Sequence, residues 1–155
     1  MDRLDHLFAD YAAYHQARGN LICHTIGIPL IMYSLLGILL RLRIGTVGDF
    51  SVTAAEGLIV LAMMVYAALD LRFMGLMLFI AIGLDALARA WGSMVFFVAL
   101  FIIGWVFQGV GHAVYEKRSP AFFKNFVHLL VGPIFILNEY LHLRPSLTPE
   151  SDESG

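Results

Sequence analysis

Two long runs of this chain contain no Asp, Glu, Lys or Arg, one from Gly19 to Leu40 and the other from Ala90 to Tyr115. About 20 predominantly apolar residues is the length of α-helix that crosses the hydrocarbon layer of a bilayer. The chain is therefore expected to be an all-α membrane protein. Composition agrees, since 59% of the 155 residues are hydrophobic and only 14% are charged, against about 25% charged in soluble domains. A water-soluble domain of this size hides only about two thirds of its unfolded surface, too little for so apolar a chain.

About four transmembrane helices are expected. Residues 21–40 form the first, with Pro29 kinking its first half as lipid-embedded helices tolerate and Arg41 and Arg43 at its far end. A polar loop with Gly45, Gly48, Asp49 and Ser51 follows. Residues 53–71 and 73–91 read as a helix pair joined at Asp70-Leu71-Arg72. Asp85 precedes Arg89 by one helical turn, which suits an ion pair on one face, although an acid inside a membrane helix is also a functional candidate by default. Residues 94–115 make the fourth helix, and Ser119-Pro120 resembles an N-cap followed by proline at the first helical position. A fifth apolar segment, 121–141, is interrupted at Gly132-Pro133 and is expected to be interfacial, re-entrant or spanning. Residues 1–144 then make a single membrane domain, with 145–155 a disordered acidic tail.

The N-terminal Met1-Asp2-Arg3-Leu4-Asp5-His6 carries acids and is followed by no small-residue cleavage site, so it does not read as a cleavable signal. With four spans, Arg3, Arg18, Arg72, Lys117, Arg118 and Lys124 share one side, against Arg41, Arg43 and Arg89 on the other. The positive-inside rule assigns the first side to the cytoplasm. A net charge of -2 leaves no basic footprint, so no nucleic-acid partner is expected. The one cysteine, Cys23, excludes an internal disulfide and Cys-rich zinc patterns, and reads as a small core residue.

That topology brings His15, His24 and His112 to one face of the membrane. His15 and His24 flank the start of the first helix, with Gly19-Asn20 allowing a turn between them, and His112 closes the fourth. His6 and His142, near the chain ends, are expected to be solvated. Imidazole is a ligand for zinc, copper, iron and nickel, and three imidazoles converging beside Tyr11, Gln108 and Glu116 suit a mononuclear centre. The closely spaced histidine pairs of diiron lipid hydroxylases are absent, as are a nucleophile elbow, a phosphate loop and a dinucleotide glycine pattern. Haem between facing helices calls for histidines deeper in the membrane. A non-enzymatic lipid carrier and a haem-binding electron carrier stay open as alternatives at this point.

Two blocks carry a family resemblance. The first is Tyr11, His15, Asn20, His24 and Pro29. The second runs through Gly104-Trp105-Val106-Phe107-Gln108, Gly111-His112, Glu116-Lys117-Arg118, Pro120-Ala121 and Asn125, continuing to Gly132-Pro133 and Glu139. Together they resemble the yeast-type 2-hydroxy fatty acid dioxygenases. The likeness covers about residues 8–141, with the middle two helices alike only in hydrophobicity.

The resemblance implies an iron(II)-dependent (Fe2+) enzyme of fatty acid α-oxidation, which with O2 shortens a 2-hydroxy long-chain fatty acid by one carbon and releases CO2. It implies His15, His24 and His112 as iron ligands. His128, where relatives are expected to carry glutamine, is a further candidate ligand. A 2-hydroxy acid chelates through carboxylate and hydroxyl oxygens, and O2 needs another position, which leaves room for about three protein ligands. Glu116, one turn beyond His112, is expected to orient an imidazole or to act as a ligand itself. Tyr11 and Gln108 are taken as catalytic neighbours, with Lys117, Arg118, Asn20 and Asn125 on the substrate. The acyl chain is expected to lie among membrane lipid with its carboxylate at the headgroups. A bacterial inner membrane is favoured, or the endoplasmic reticulum if the chain is eukaryotic, with the site on the cytoplasmic side.

Overall fold

A computed structural model describes residues 2–117 and 127–144. Ser119-Pro120, Arg118, Lys124, Asn125 and the tail from Pro145 lie outside the described residues. The order is α1 (Arg3–Ala13), α2 (Arg18–Leu39), a β1–β2 hairpin (Arg43–Val47 and Phe50–Thr53), α3 (Ala54–Leu69), α4 (Leu71–Ala90), α5 (Met94–Val110), a π-helical turn (Gly111–Glu116) and α6 (Val127–Leu141). Among the described residues, three stretches are long and apolar enough to cross a membrane: Arg18–Leu39, Leu71–Ala90 and Met94–Glu116. Helices α3 and α6 are shorter but equally apolar. Large side chains such as Phe79 (78% exposed) and Val95 (79%) point out of the protein. Apolar surface of that extent belongs in lipid, and the chain is an all-α membrane protein apart from its small hairpin.

The chain divides into two compact units, residues 26–107 and a unit made of residues 1–25 with 108–155. In the first, Asp70 ends α3 and its carboxylate caps α4 through the Arg72 N–H at 2.8 Å. The expected Asp85–Arg89 pair is present at 2.7 Å, and Arg89 also binds Glu56 of α3. Glu56 in turn closes a capping box with Thr53. The polar loop expected after α2 is instead the antiparallel hairpin, turning at Gly48-Asp49 with Gly48 at φ 58°. A Gly-X pair between two strand-forming residues, here Val47 and Phe50, is a hairpin signal, and it outweighs the polar loop character.

In the second unit, α1 starts with an Asp2/Asp5 capping box. Arg144, just past α6, holds both acids at 2.6 and 2.8 Å. Buried Leu4, Phe8, Tyr11 and Ala12 turn toward Val131, Ile134 and Phe135 of α6, with the Phe8 and Phe135 rings edge to face at 5.6 Å. Helix α6 runs unbroken through Pro133, where an interruption was expected. Proline removes one backbone donor, a loss helices in apolar surroundings absorb when neighbours satisfy the freed carbonyl. The turn expected at Gly19-Asn20 is also absent, because both lie in the first turn of α2, and the reversal falls at Tyr14–Ala17.

Candidate metal centre

His15 follows the last turn of α1. Its ring lies flat on Tyr11, with centroids 3.8 Å apart and planes 4° from parallel, and its Nδ1 is 2.7 Å from the Tyr11 carbonyl oxygen. His24 repeats the device on α2, with Nδ1 2.9 Å from the Asn20 carbonyl one turn earlier. A carbonyl only accepts, so each Nδ1 carries the proton and donates it. In a neutral ring the other nitrogen, Nε2, is then a bare lone pair. The two Nε2 atoms face each other at 3.1 Å. A hydrogen bond between them would need a doubly protonated ring, and burial, with His24 beside it, pulls His15 down to about 3. Two lone pairs thus meet with no proton between them.

His112 supplies the third imidazole from the π-helical turn. Its ring centroid is 4.8 Å from that of His15 and 4.9 Å from that of His24, and the three rings cross at 71° to 88°. One ligand atom from each of the three lies within 4.8 Å of the others, and all three residues are buried. The His112 Nδ1 is buried with no hydrogen-bond partner among the described residues. For metal–nitrogen bonds of about 2.1 Å, two ligands at a right angle stand ~3.0 Å apart, close to the observed Nε2 separation. The residues therefore fit a divalent transition ion. Imidazole alone suits iron, zinc, copper or nickel equally well in type.

The wall around the three rings is polar and tightly made. Glu116, at the end of the π-helical turn, accepts from the Ala17 N–H at 2.8 Å and from Asn20 Nδ2 at 3.1 Å through one oxygen. That ties the turn bearing His112 to the start of the helix bearing His24, and sets a negative charge at a helix N-terminus, where the dipole favours it. Gly111 allows the close approach: a Cβ there would stand 2.3 Å from Asn20 Oδ1 and 3.1 Å from Cys23 Cβ. Gly19 likewise makes room for the Tyr115 ring, 2.3 Å from its notional Cβ. Asn20 Oδ1, Gln108 Nε2 and His128 Nδ1 are buried without partners among the described residues, as is His112 Nδ1. A buried unsatisfied polar atom costs about 1–3 kcal/mol, so these four atoms call for partners that the described residues do not supply.

The structure thus brings together Tyr11, His15, Asn20, His24, His112 and Glu116 in the second unit, with Gln108 buried one turn before His112. Burial raises the Tyr11 phenol. Lys117 closes the π-helical turn in the left-handed region at φ 53° and is exposed, as is Arg18. His6 and His142 are exposed, as expected. His128 is not one of the three grouped ligands; its Nε2 lies 2.8 Å from Asp10 Oδ2. Asp10 was missed from the sequence, where its place directly before Tyr11 is the only hint. The π-helical turn was also missed, and closely spaced Gly109 and Gly111 give only a weak sign of it.

Comparison with known proteins adds an independent line. The family model described as "2-hydroxy-palmitic acid dioxygenase Mpo1-like" matches residues 1–143. The 2-hydroxy-palmitic acid dioxygenase MPO1 of Saccharomyces cerevisiae is 38% identical over 136 residues, which covers 84% of this chain and 75% of the yeast protein. No solved structure matches the fold.

Proposed function

This chain belongs to the 2-hydroxy-palmitic acid dioxygenase Mpo1-like family, and from that premise we propose that it is a membrane-embedded, iron(II)-dependent dioxygenase of 2-hydroxy long-chain fatty acids. The proposed reaction takes a 2-hydroxy acid and O2 to the acid one carbon shorter, CO2 and water. The observation that carries the metal assignment is the pair of Nε2 lone pairs held 3.1 Å apart by carbonyl-fixed tautomers, with His112 completing the set.

His15, His24 and His112 would hold the ion. His128, a candidate ligand from sequence, is left out of the proposed set because it is not grouped with the other three and its Nε2 bonds to Asp10. Iron(II) held there would supply the redox chemistry for O2 and a Lewis acid for the substrate's carboxylate and hydroxyl oxygens. The protein does the rest. Tyr11 shields one face of His15 and fixes its proton on Nδ1. Glu116 acts on ligand geometry through Ala17 and Asn20. Gln108 Nε2 and Asn20 Oδ1, both unpartnered among the described residues, offer a donor and an acceptor to the polar end of the substrate. Lys117, with Arg118 and Asn125 on the substrate side of the proposal, draws the carboxylate to the headgroup level, while the acyl chain stays in lipid. The proposed domain is residues 1–144, its site facing the cytoplasm of a bacterial inner membrane, or of the endoplasmic reticulum in a eukaryotic host.

The test is anaerobic loading of the purified protein with iron(II), addition of 2-hydroxyhexadecanoate, then admission of oxygen. Pentadecanoate and CO2 are expected, with O2 consumed in step with the acid. Hexadecanoate lacks the second donor oxygen and is expected to bind poorly. Iron-loaded protein that leaves every 2-hydroxy acid intact, from medium to very long chains, refutes the proposal.

A further inference from the structure

His128 has a hydrogen-bonding state that the three-histidine centre does not use. Its side chain is 3% exposed, whereas the Asp10 carboxylate it meets at 2.8 Å is 54% exposed. A carboxylate only accepts, so Nε2 carries a proton and donates it, and in the neutral ring Nδ1 is then a lone pair. That Nδ1 is buried and unpartnered among the described residues. The ring is wedged edge-on against Tyr11, with centroids 5.7 Å apart, and against Tyr14 at 6.1 Å. Tyr11 is the ring stacked on His15, so one aromatic side chain has its face on the metal centre and its neighbour at His128. A carboxylate behind an imidazole fixes the tautomer and steadies the imidazolium that forms when the far nitrogen takes a proton. Here the carboxylate reaches solvent and the bare nitrogen does not.

We propose that His128, backed by Asp10, is the base that accepts the proton of the substrate's 2-hydroxyl group. The proposal rests on the 2-hydroxy acid oxidation argued above. In the step, the substrate O–H bond breaks, the electron pair stays on its oxygen, and the proton moves to His128 Nδ1. Asp10 balances the new positive charge. The overall reaction, R–CH(OH)–COO⁻ + O2 → R–COO⁻ + CO2 + H2O, balances in atoms and charge, and O2 accepts all the electrons the acid gives up. The proton held by His128 leaves in the water. A glutamine at this position accepts a hydrogen bond but cannot keep a proton.

The test compares the iron-loaded wild type with His128→Gln, His128→Ala and Asp10→Asn. Asp10 is half-exposed, so its isosteric change spares the fold. The expected result is unchanged iron content in all three, turnover of 2-hydroxyhexadecanoate down about a hundredfold in His128→Gln and about tenfold in Asp10→Asn. Added imidazole is expected to restore much of the His128→Ala rate, a rescue that a purely packing role does not give. Wild-type turnover retained by His128→Gln overturns the base. Iron lost in step with activity makes His128 a ligand and overturns it as well. An inactive iron-loaded wild type sinks the parent reaction and the base with it, an outcome distinct from the other two.

Discussion

Gly111→Ala isolates the packing that sets the metal centre. The added Cβ would stand 2.3 Å from Asn20 Oδ1, while a carbon–oxygen contact relaxes at roughly 3.3 Å. The amide must therefore retreat by about 1 Å, or the π-helical turn must. Neither is free to move alone. Asn20 Nδ2 is held by Glu116, and the Asn20 carbonyl fixes His24. On the other side, Gly111 precedes His112 directly. Cys23, 3.1 Å from the same Cβ, closes a second direction of escape. Overpacking of this kind costs about 1–3 kcal/mol of stability. A displacement of about 1 Å at a reacting centre costs on the order of a hundredfold in rate.

Gly109→Ala is the internal control. It lies on the exposed side of α5, and its notional Cβ meets nothing within 4 Å. Alanine there is expected to be neutral or to stabilise the helix by up to about 1 kcal/mol. Both variants are measured for iron affinity by chelator competition, for turnover, and for thermal unfolding in detergent. Gly111→Ala is expected to lose iron affinity by about ten- to a hundredfold while still inserting in the membrane. If Gly111→Ala binds iron and turns over like Gly109→Ala, the close approach is not what positions His24 and His112, and the reasoning fails.

Alanine at His15, His24 or His112 is expected to abolish turnover and lower bound iron without preventing insertion, whereas His6→Ala and His142→Ala stay near wild type; full iron content in His112→Ala removes it from the ligand set. Topology is checked in a Cys23→Ala background with single cysteines at Gln16 and Lys117, both exposed. Both are expected to label from the cytoplasmic side, and labelling from opposite sides rules out the three-histidine centre.

The charge-free runs were readable because lipid leaves the backbone few choices, so composition alone dictates helix. The ion pair of Asp85 and Arg89 was readable for a related reason, since helical spacing fixes which side chains meet. What could not be read is local and tertiary. Gly19-Asn20 has the composition of a turn, yet it is helical, because Gly19 must admit the Tyr115 ring and Asn20 must reach Glu116. Pro133 has the composition of a break, yet α6 passes through it while burying Val131, Ile134 and Phe135. In both places packing overrides the local preference, and no single-sequence pattern announces that.

The site divides along the same line. That His15, His24 and His112 share one membrane face follows from counting spans, and the counting needs no side-chain detail. Whether they can hold a metal depends on their protons, which counting does not reach. Two of the three are placed by a backbone carbonyl one turn earlier, Tyr11 for His15 and Asn20 for His24. The Tyr11 carbonyl, in the last turn of α1, accepts from the Tyr14 N–H and has a second lone pair for His15. His24 is placed inside α2 and bends back to Asn20, near the helix start that Glu116 caps through the Ala17 N–H. Spacing of four between Tyr11 and His15, and again between Asn20 and His24, is what lets each Nδ1 reach its carbonyl. The repeated spacing visible in the sequence therefore encodes the tautomers, and through them the two lone pairs on which the metal assignment depends.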